Sequence, residues 1–172
     1  AKAINFGLIY GMSAFGLARQ LDIDRAEAAV YIDRYFEQYP GVRRYMDSTR
    51  TMAHERGYVE TVFGRRLTLH DIRSKQVPVR QAAERAAINA PMQGTAADIV
   101  KRAMLRVQSA LKLTDIGCHL LLQVHDELVF EVMDQDLVKA RQLIRSEMES
   151  AAELTVPLVV QIGTGRSWFE AH

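Results

Sequence analysis

The order of elements in this sequence predicts an α+β fold, with a helical subdomain followed by one that mixes helices and antiparallel strands. Three observations carry that reading. Helical patterns separated by Gly and Pro signals fill the first 56 residues. Two stretches, YVETVFGRRLTL (58–69) and CHLLLQVHDELVFEV (118–132), read as hairpins. An Ala-rich helical segment runs between them.

The elements follow in order. Residues 1–10 (AKAINFGLIY) have helical character and stop at Gly11, a C-cap position. Further helices fit Ser13 to Leu21 and Asp24 to Gln38, the second opening on an Asp N-cap and ending before Pro40-Gly41. Another runs from about Val42 to Arg56 and stops at Gly57. The first hairpin turns at Phe63-Gly64. The Ala-rich helix starts near Val79, bends at Pro91 and resumes from Thr95 to about Leu111. Leu137 to Leu154 is an amphipathic helix, and VPLVVQIG (156–163) reads as a closing strand.

At 172 residues, 48% hydrophobic and 25% charged, the chain suits one globular domain or two small ones. No apolar run approaches a membrane span, and the single Cys118 excludes an internal disulfide. The opening AKAINFGLIYG has no signal-peptide pattern and no starting Met, and reads as the middle of a longer chain. The net charge of +1 conceals an asymmetry. Between Arg65 and Arg106, nine Lys/Arg face three acids; between Asp126 and Glu153, eight acids face three bases. A basic middle beside an acidic end suggests a polyanion partner and cations held among carboxylates, although two solvated faces would give the same count.

GLARQLDIDRAEAAVYIDRYF (16–36) scans like a helix-turn-helix. Its would-be recognition region, Asp22 to Glu37, has five acids and two arginines, the wrong sign for a phosphate groove. These are ordinary packed helices. Lys2, Phe6 and Tyr10, at i, i+4 and i+8, line one helical face and offer an ammonium, an aromatic plane and a phenol, the groups needed to hold a nucleotide. Ile4, Leu8 and Ile9 supply the core face instead. In RQAAERAAINAPMQGTAADIVKRA, small residues let something bulky lie near the backbone. Arg85 and Asn89 share a face, which Gln93 would continue but for Pro91; these side chains hydrogen-bond base edges and sugars, although tight helix packing is the plain alternative.

The second hairpin places His125, Asp126 and Glu127 between apolar runs. A three-residue loop favours Gly or Asn at its left-handed position, and this one has neither. Adjacent carboxylates repel, and a divalent cation relieves that repulsion. A hydrolase His-Asp pair lacks a suitable nucleophile here, and a solvated acidic turn is the plain alternative.

Together these segments resemble the C-terminal part of the A family of DNA polymerases. KAINFGLIYG resembles the end of that family's fingers helix, AAERAAINAPMQGTAADI its DNA-contacting helix, QVHDELVFE its catalytic palm motif, and GTGRSWFEAH its C-terminus. The resemblance implies fingers over 1–79 and palm over 80–172. It implies that Lys2 binds the triphosphate of the incoming dNTP, Phe6 lies against its sugar, and Tyr10 polices the nascent base pair. Arg85, Asn89 and Gln93 would contact primer-template DNA in the minor groove. His125 would sit at the primer terminus, Asp126 would be a catalytic metal ligand, and Glu127 an adjacent acid of lesser importance. It further implies two Mg2+ ions in the complete enzyme, a cytoplasmic, nucleoid-associated role in replication and repair, no membrane, and a monomeric full-length form.

The family's partner Asp, in a D-Y-S-x-I-E-type motif, does not occur in these 172 residues, so the chain reads as a fragment inactive by itself. Two alternatives remain at this stage. One is a relative of the single-subunit phage-type RNA polymerases; the other is a non-catalytic DNA-binding module.

Overall fold

A computed structural model describes residues 2–171, apart from the side chains of Lys2, Ala3 and Phe6. The chain forms two compact units, residues 1–94 and 95–172, with the division falling inside one long helix.

The first unit begins with helix α1 (Lys2–Ile9). Gly11, at φ +81°, ends it through the two bonds of a Schellman motif. The Met12 N–H donates to the Gly7 carbonyl at 2.8 Å, and the Gly11 N–H donates to Leu8 at 3.0 Å. Helix α2 (Ala14–Leu21) starts at Ser13, whose hydroxyl accepts the Gly16 N–H at 3.2 Å. Helix α3 (Arg25–Gln38) follows Asp24, which holds the N-cap position but makes no capping bond through its side chain among the described residues. Helix α4 (Pro40–Arg56) starts two residues earlier than the sequence suggested, because Pro40 occupies N1, where its missing N–H costs nothing. Gly57, at φ +77°, closes it.

Leu8, Leu17 and Ala28 are buried together, with Ile4, Met12, Leu21 and Ile32 packed around them. Ile4 and Leu8 therefore face the core as expected, and α2 and α3 share that core in the way ordinary packed helices do.

Strands β1 (Tyr58–Glu60) and β2 (Arg66–Thr68) pair antiparallel, Val59 opposite Leu67. Gly64 turns the hairpin at φ +82°. A 3-10 turn at His70–Arg73, not foreseen from the sequence, lets Arg73 donate to the His54 and Glu55 carbonyls at 2.7 Å each, satisfying the end of α4. Helix α5 (Val77–Leu111) is one element with Pro91 inside it. The resumption expected only at Thr95 is thus corrected, since residues 91–94 are helical as well. In the first unit, Ala83 and Ala87 of α5 join Ala53, Val59, Leu69 and Ile72 in a second cluster.

In the second unit, strands β3 (Cys118–Val124) and β4 (Glu127–Val132) form an antiparallel hairpin. Helix α6 (Leu137–Glu149) packs on it, burying Val107, Leu111, Cys118, Ala140 and Ile144. Burial raises the Cys118 thiol above its ordinary range, which suits a packing role for this residue. Two sequence expectations fail here. Helix α6 stops at Glu149 and not at Leu154, because Arg102 donates to the Ala151 carbonyl at 3.0 Å and Arg106 to Ser150 Oγ at 3.0 Å. Residues 156–163 form no strand among the described residues. A strand needs a ladder neighbour, and here the Val160 N–H donates to the Glu149 carboxylate at 3.1 Å while Ile162 packs on the core. A short helix α7 (Trp168–Ala171) follows.

Gly57 isolates the cost of a left-handed backbone, since a Cβ there would meet nothing within 4 Å. Gly57→Ala should therefore lower stability by roughly 1–2 kcal/mol through backbone strain alone. Denaturant unfolding should show a lower midpoint with an unchanged slope; an unshifted midpoint would refute this.

Candidate active site

The candidate residues fall into two groups, each described within its own unit. In the first unit, α1 carries Lys2 and Phe6, whose side chains lie outside the described residues. Tyr10 is half-buried and sits just past the last helical turn, beside Gly11. A Cβ on Gly11 would stand 3.5 Å from Arg85 Cγ and 3.9 Å from Ile88 Cδ1, so the end of α1 lies against α5 at Arg85. The structure thus brings together two segments that the sequence separates by some seventy residues.

Because α5 is helical through Pro91, Arg85, Asn89 and Gln93 follow one another at i, i+4 and i+8. Arg85 and Gln93 are exposed and Asn89 is half-buried. Asn89 Oδ1 is buried with no hydrogen-bond partner among the described residues, an unmet acceptor that costs about 1–3 kcal/mol. Gln93 borders a cleft of about 260 Å3 lined also by Glu60, Thr61, Arg65, Leu67 and Ala90. Sequence reasoning missed the hairpin residues Thr61 and Arg65. The only local signal was Gly94, whose lack of a side chain permits their close approach.

In the second unit, the expected three-residue loop is a two-residue turn. Glu127 is the first residue of β4 and pairs with Val124, leaving His125 and Asp126 at the tip. His125 takes the left-handed position itself, at φ +52°, where a side chain is unfavourable. The Gln123 side-chain amide donates to the His125 carbonyl and holds the turn closed. Leu121 is the extra residue of a bulge between the Leu120–Phe130 and Leu122–Val129 pairs. It is 57% exposed, so the apolar run is not buried on both faces. His125 and Asp126 are exposed, and Glu127 is half-buried.

The oxygen donors of Asp126 and Glu127 suit a hard divalent cation. Among the described residues, however, no group of three or more His, Cys, Asp or Glu side chains is placed to hold a metal ion. The tip by itself offers two neighbouring carboxylates, fewer than a metal site of its own would need.

The sequence profile of DNA polymerase family A matches residues 1–170, and the chain belongs to that family. It is 59% identical to DNA polymerase I of Pseudomonas aeruginosa over 172 residues, covering all of this chain and 19% of that protein. It is 50% identical to the thermostable DNA polymerase I of Thermus filiformis, covering 99% of this chain and 20% of that one. Among solved structures, the POL domain of Pol1 from M. smegmatis, in complex with DNA primer-template and dNTP, superposes with a TM-score of 0.96 at 49% identity, over 99% of this chain and 30% of that chain. The chain spans about a fifth of the length of these curated relatives. Among the described residues, no helix is long and apolar enough to cross a membrane.

The left-handed His125 makes the tip sensitive to side-chain shape. His125→Val should destabilise by about 1–2 kcal/mol, while His125→Gly should leave stability equal or slightly higher. Thermal unfolding of the two variants gives the comparison, and equal losses in both would count against the strain.

Proposed function

We propose that this chain is part of a DNA-directed DNA polymerase that transfers deoxynucleotides from dNTPs to a primer 3′-hydroxyl under template direction, in bacterial replication and repair. The single observation that carries the reading is the likeness, at TM-score 0.96 over 99% of the chain, to a polymerase domain solved with primer-template and dNTP. On this reading, 1–79 belongs to the fingers and 80–172 to the palm, in a monomeric enzyme of the bacterial cytoplasm, associated with the nucleoid.

Lys2, Phe6 and Tyr10 bind the incoming nucleotide through its phosphates, its sugar and the nascent pair. Arg85, Asn89 and Gln93 contact the duplex in its minor groove, where all base pairs present similar acceptors, so geometry can be tested without reading sequence. The i, i+4, i+8 spacing of the three on one continuous helix supports that role. His125 contacts the primer terminus. Asp126, with Glu127 beside it, would hold Mg2+, and the remaining ligands come from other parts of the polymerase. Mg2+ held there would supply charge stabilisation to the oxygens of the phosphoryl transfer.

Two outcomes are expected in primer-extension assays. The 172-residue chain alone should show no Mg2+-dependent extension, since it supplies too few clustered carboxylates among its described residues. In the full-length polymerase, Asp126→Ala should reduce extension by at least about a thousandfold while leaving primer-template affinity within a few-fold. Near-normal extension by that variant would remove Asp126 from the metal site, and incorporation of rNTPs in preference to dNTPs would contradict the choice of substrate.

A further inference from the structure

Pro91 sits inside α5 without an N–H, so the Ala87 carbonyl loses its i→i−4 partner and the ring crowds it. Two side chains from elsewhere in the first unit bind carbonyls on either side of this break. Three residues before Pro91, the Ile88 carbonyl accepts from the Tyr45 hydroxyl at 2.9 Å. Three residues after it, the Gly94 carbonyl accepts from Arg65 Nη2 at 3.0 Å. Asn89 and Gln93, two of the three candidate DNA contacts on this helix, lie between these two points.

Both donors are anchored in their own elements. Tyr45 belongs to α4, and burial raises its phenol above the ordinary range, so it stays a neutral donor at physiological pH. Arg65 ends the turn of the β1–β2 hairpin, where Thr61 accepts the Arg65 N–H through Oγ1 at 3.1 Å. Thr61 is buried, and its methyl packs on the helix. A Cβ on Gly94 would stand 2.7 Å from Thr61 Cγ2 and 3.2 Å from Arg65 Nη2. Glycine at 94 is thus what lets the hairpin reach the helix backbone.

We propose that Tyr45 and Arg65 are positioning residues for the DNA-contacting face. By holding the Ile88 and Gly94 carbonyls they set the path of α5 through Pro91, and with it the reach of Asn89 and Gln93 toward the duplex. The inference rests on the reading of α5 as a minor-groove contact helix. Because Arg65 is exposed, direct contact with a phosphate is the competing role, and salt dependence separates the two.

The test uses the full-length polymerase carrying Tyr45→Phe, Arg65→Ala, Arg65→Lys, Gln93→Ala and the double variants with Gln93→Ala. Tyr45→Phe and Arg65→Ala should each raise the primer-template Kd roughly five- to tenfold, the effect of one lost hydrogen bond to the backbone. At saturating DNA, kcat and the dNTP KM should stay within about twofold, and the slope of log Kd on log salt should not change. Arg65→Lys should recover most of the loss, because it restores a donor. Each double variant should lose less than the sum of its singles.

Full additivity with Gln93→Ala would overturn the proposal. So would a salt slope lowered by about one in Arg65→Ala, which would make Arg65 a phosphate contact. An unchanged Kd in Gln93→Ala would instead overturn the reading of α5 as the DNA face, and the inference with it. Should Arg65→Ala fail to fold, Tyr45→Phe removes a single oxygen and decides the question.

Discussion

The structure of the first unit depends on a proline that must be carried inside a helix. A helix interior loses about 3 kcal/mol or more to proline, and α5 stays continuous through Pro91 despite that cost. Ala83 and Ala87 are small enough to let α4 and the β1–β2 hairpin pack directly against the helix backbone. That closeness puts Tyr45 within reach of Ile88 and Arg65 within reach of Gly94. Small residues here thus serve backbone approach by the protein's own elements. The packing reading of the Ala-rich motif therefore holds for Ala83 and Ala87.

The β3–β4 hairpin is governed by a different constraint. Its register pairs Val124 with Glu127, which shortens the turn to His125 and Asp126 and forces the first of them into the left-handed region. A non-glycine residue in that region is a local cost, accepted where the side chain is needed. The ladder, the core beneath Cys118 and Phe130, and the Gln123 amide on the His125 carbonyl offset the cost and hold the tip in one shape. Such a tip presents carboxylates at a defined point, and among the described residues no group of three or more possible metal ligands gathers there.

Sequence reasoning was accurate where the controlling physics is local. Gly11, Gly57 and Gly64 each end or turn an element at positive φ, because steric limits on a single residue act without reference to the rest of the chain. The spacing of Arg85, Asn89 and Gln93 was equally legible. Their alignment was not, since a bend was expected at Pro91 where the helix in fact runs on without interruption. The end of α6 was misjudged too: Arg102 and Arg106 reach it from more than forty positions away. The closing segment 156–163 has a strand's composition, yet pairing is a property of two segments and cannot be read from one.

What the sequence by itself determined is therefore the presence and order of the helices and the two hairpins, the α+β class, membership of DNA polymerase family A, and which side chains are candidates for nucleotide, DNA and metal. These follow from backbone sterics and from the chemistry of side chains at fixed spacing. Only the tertiary structure decided the continuity of α5, the docking of Gly11 beside Arg85, the two-residue tip at His125–Asp126, and the roles of Tyr45, Thr61 and Arg65. Each of those rests on a contact or a hydrogen bond whose partner is set by packing and register, and neither has a signature in the local order of residues.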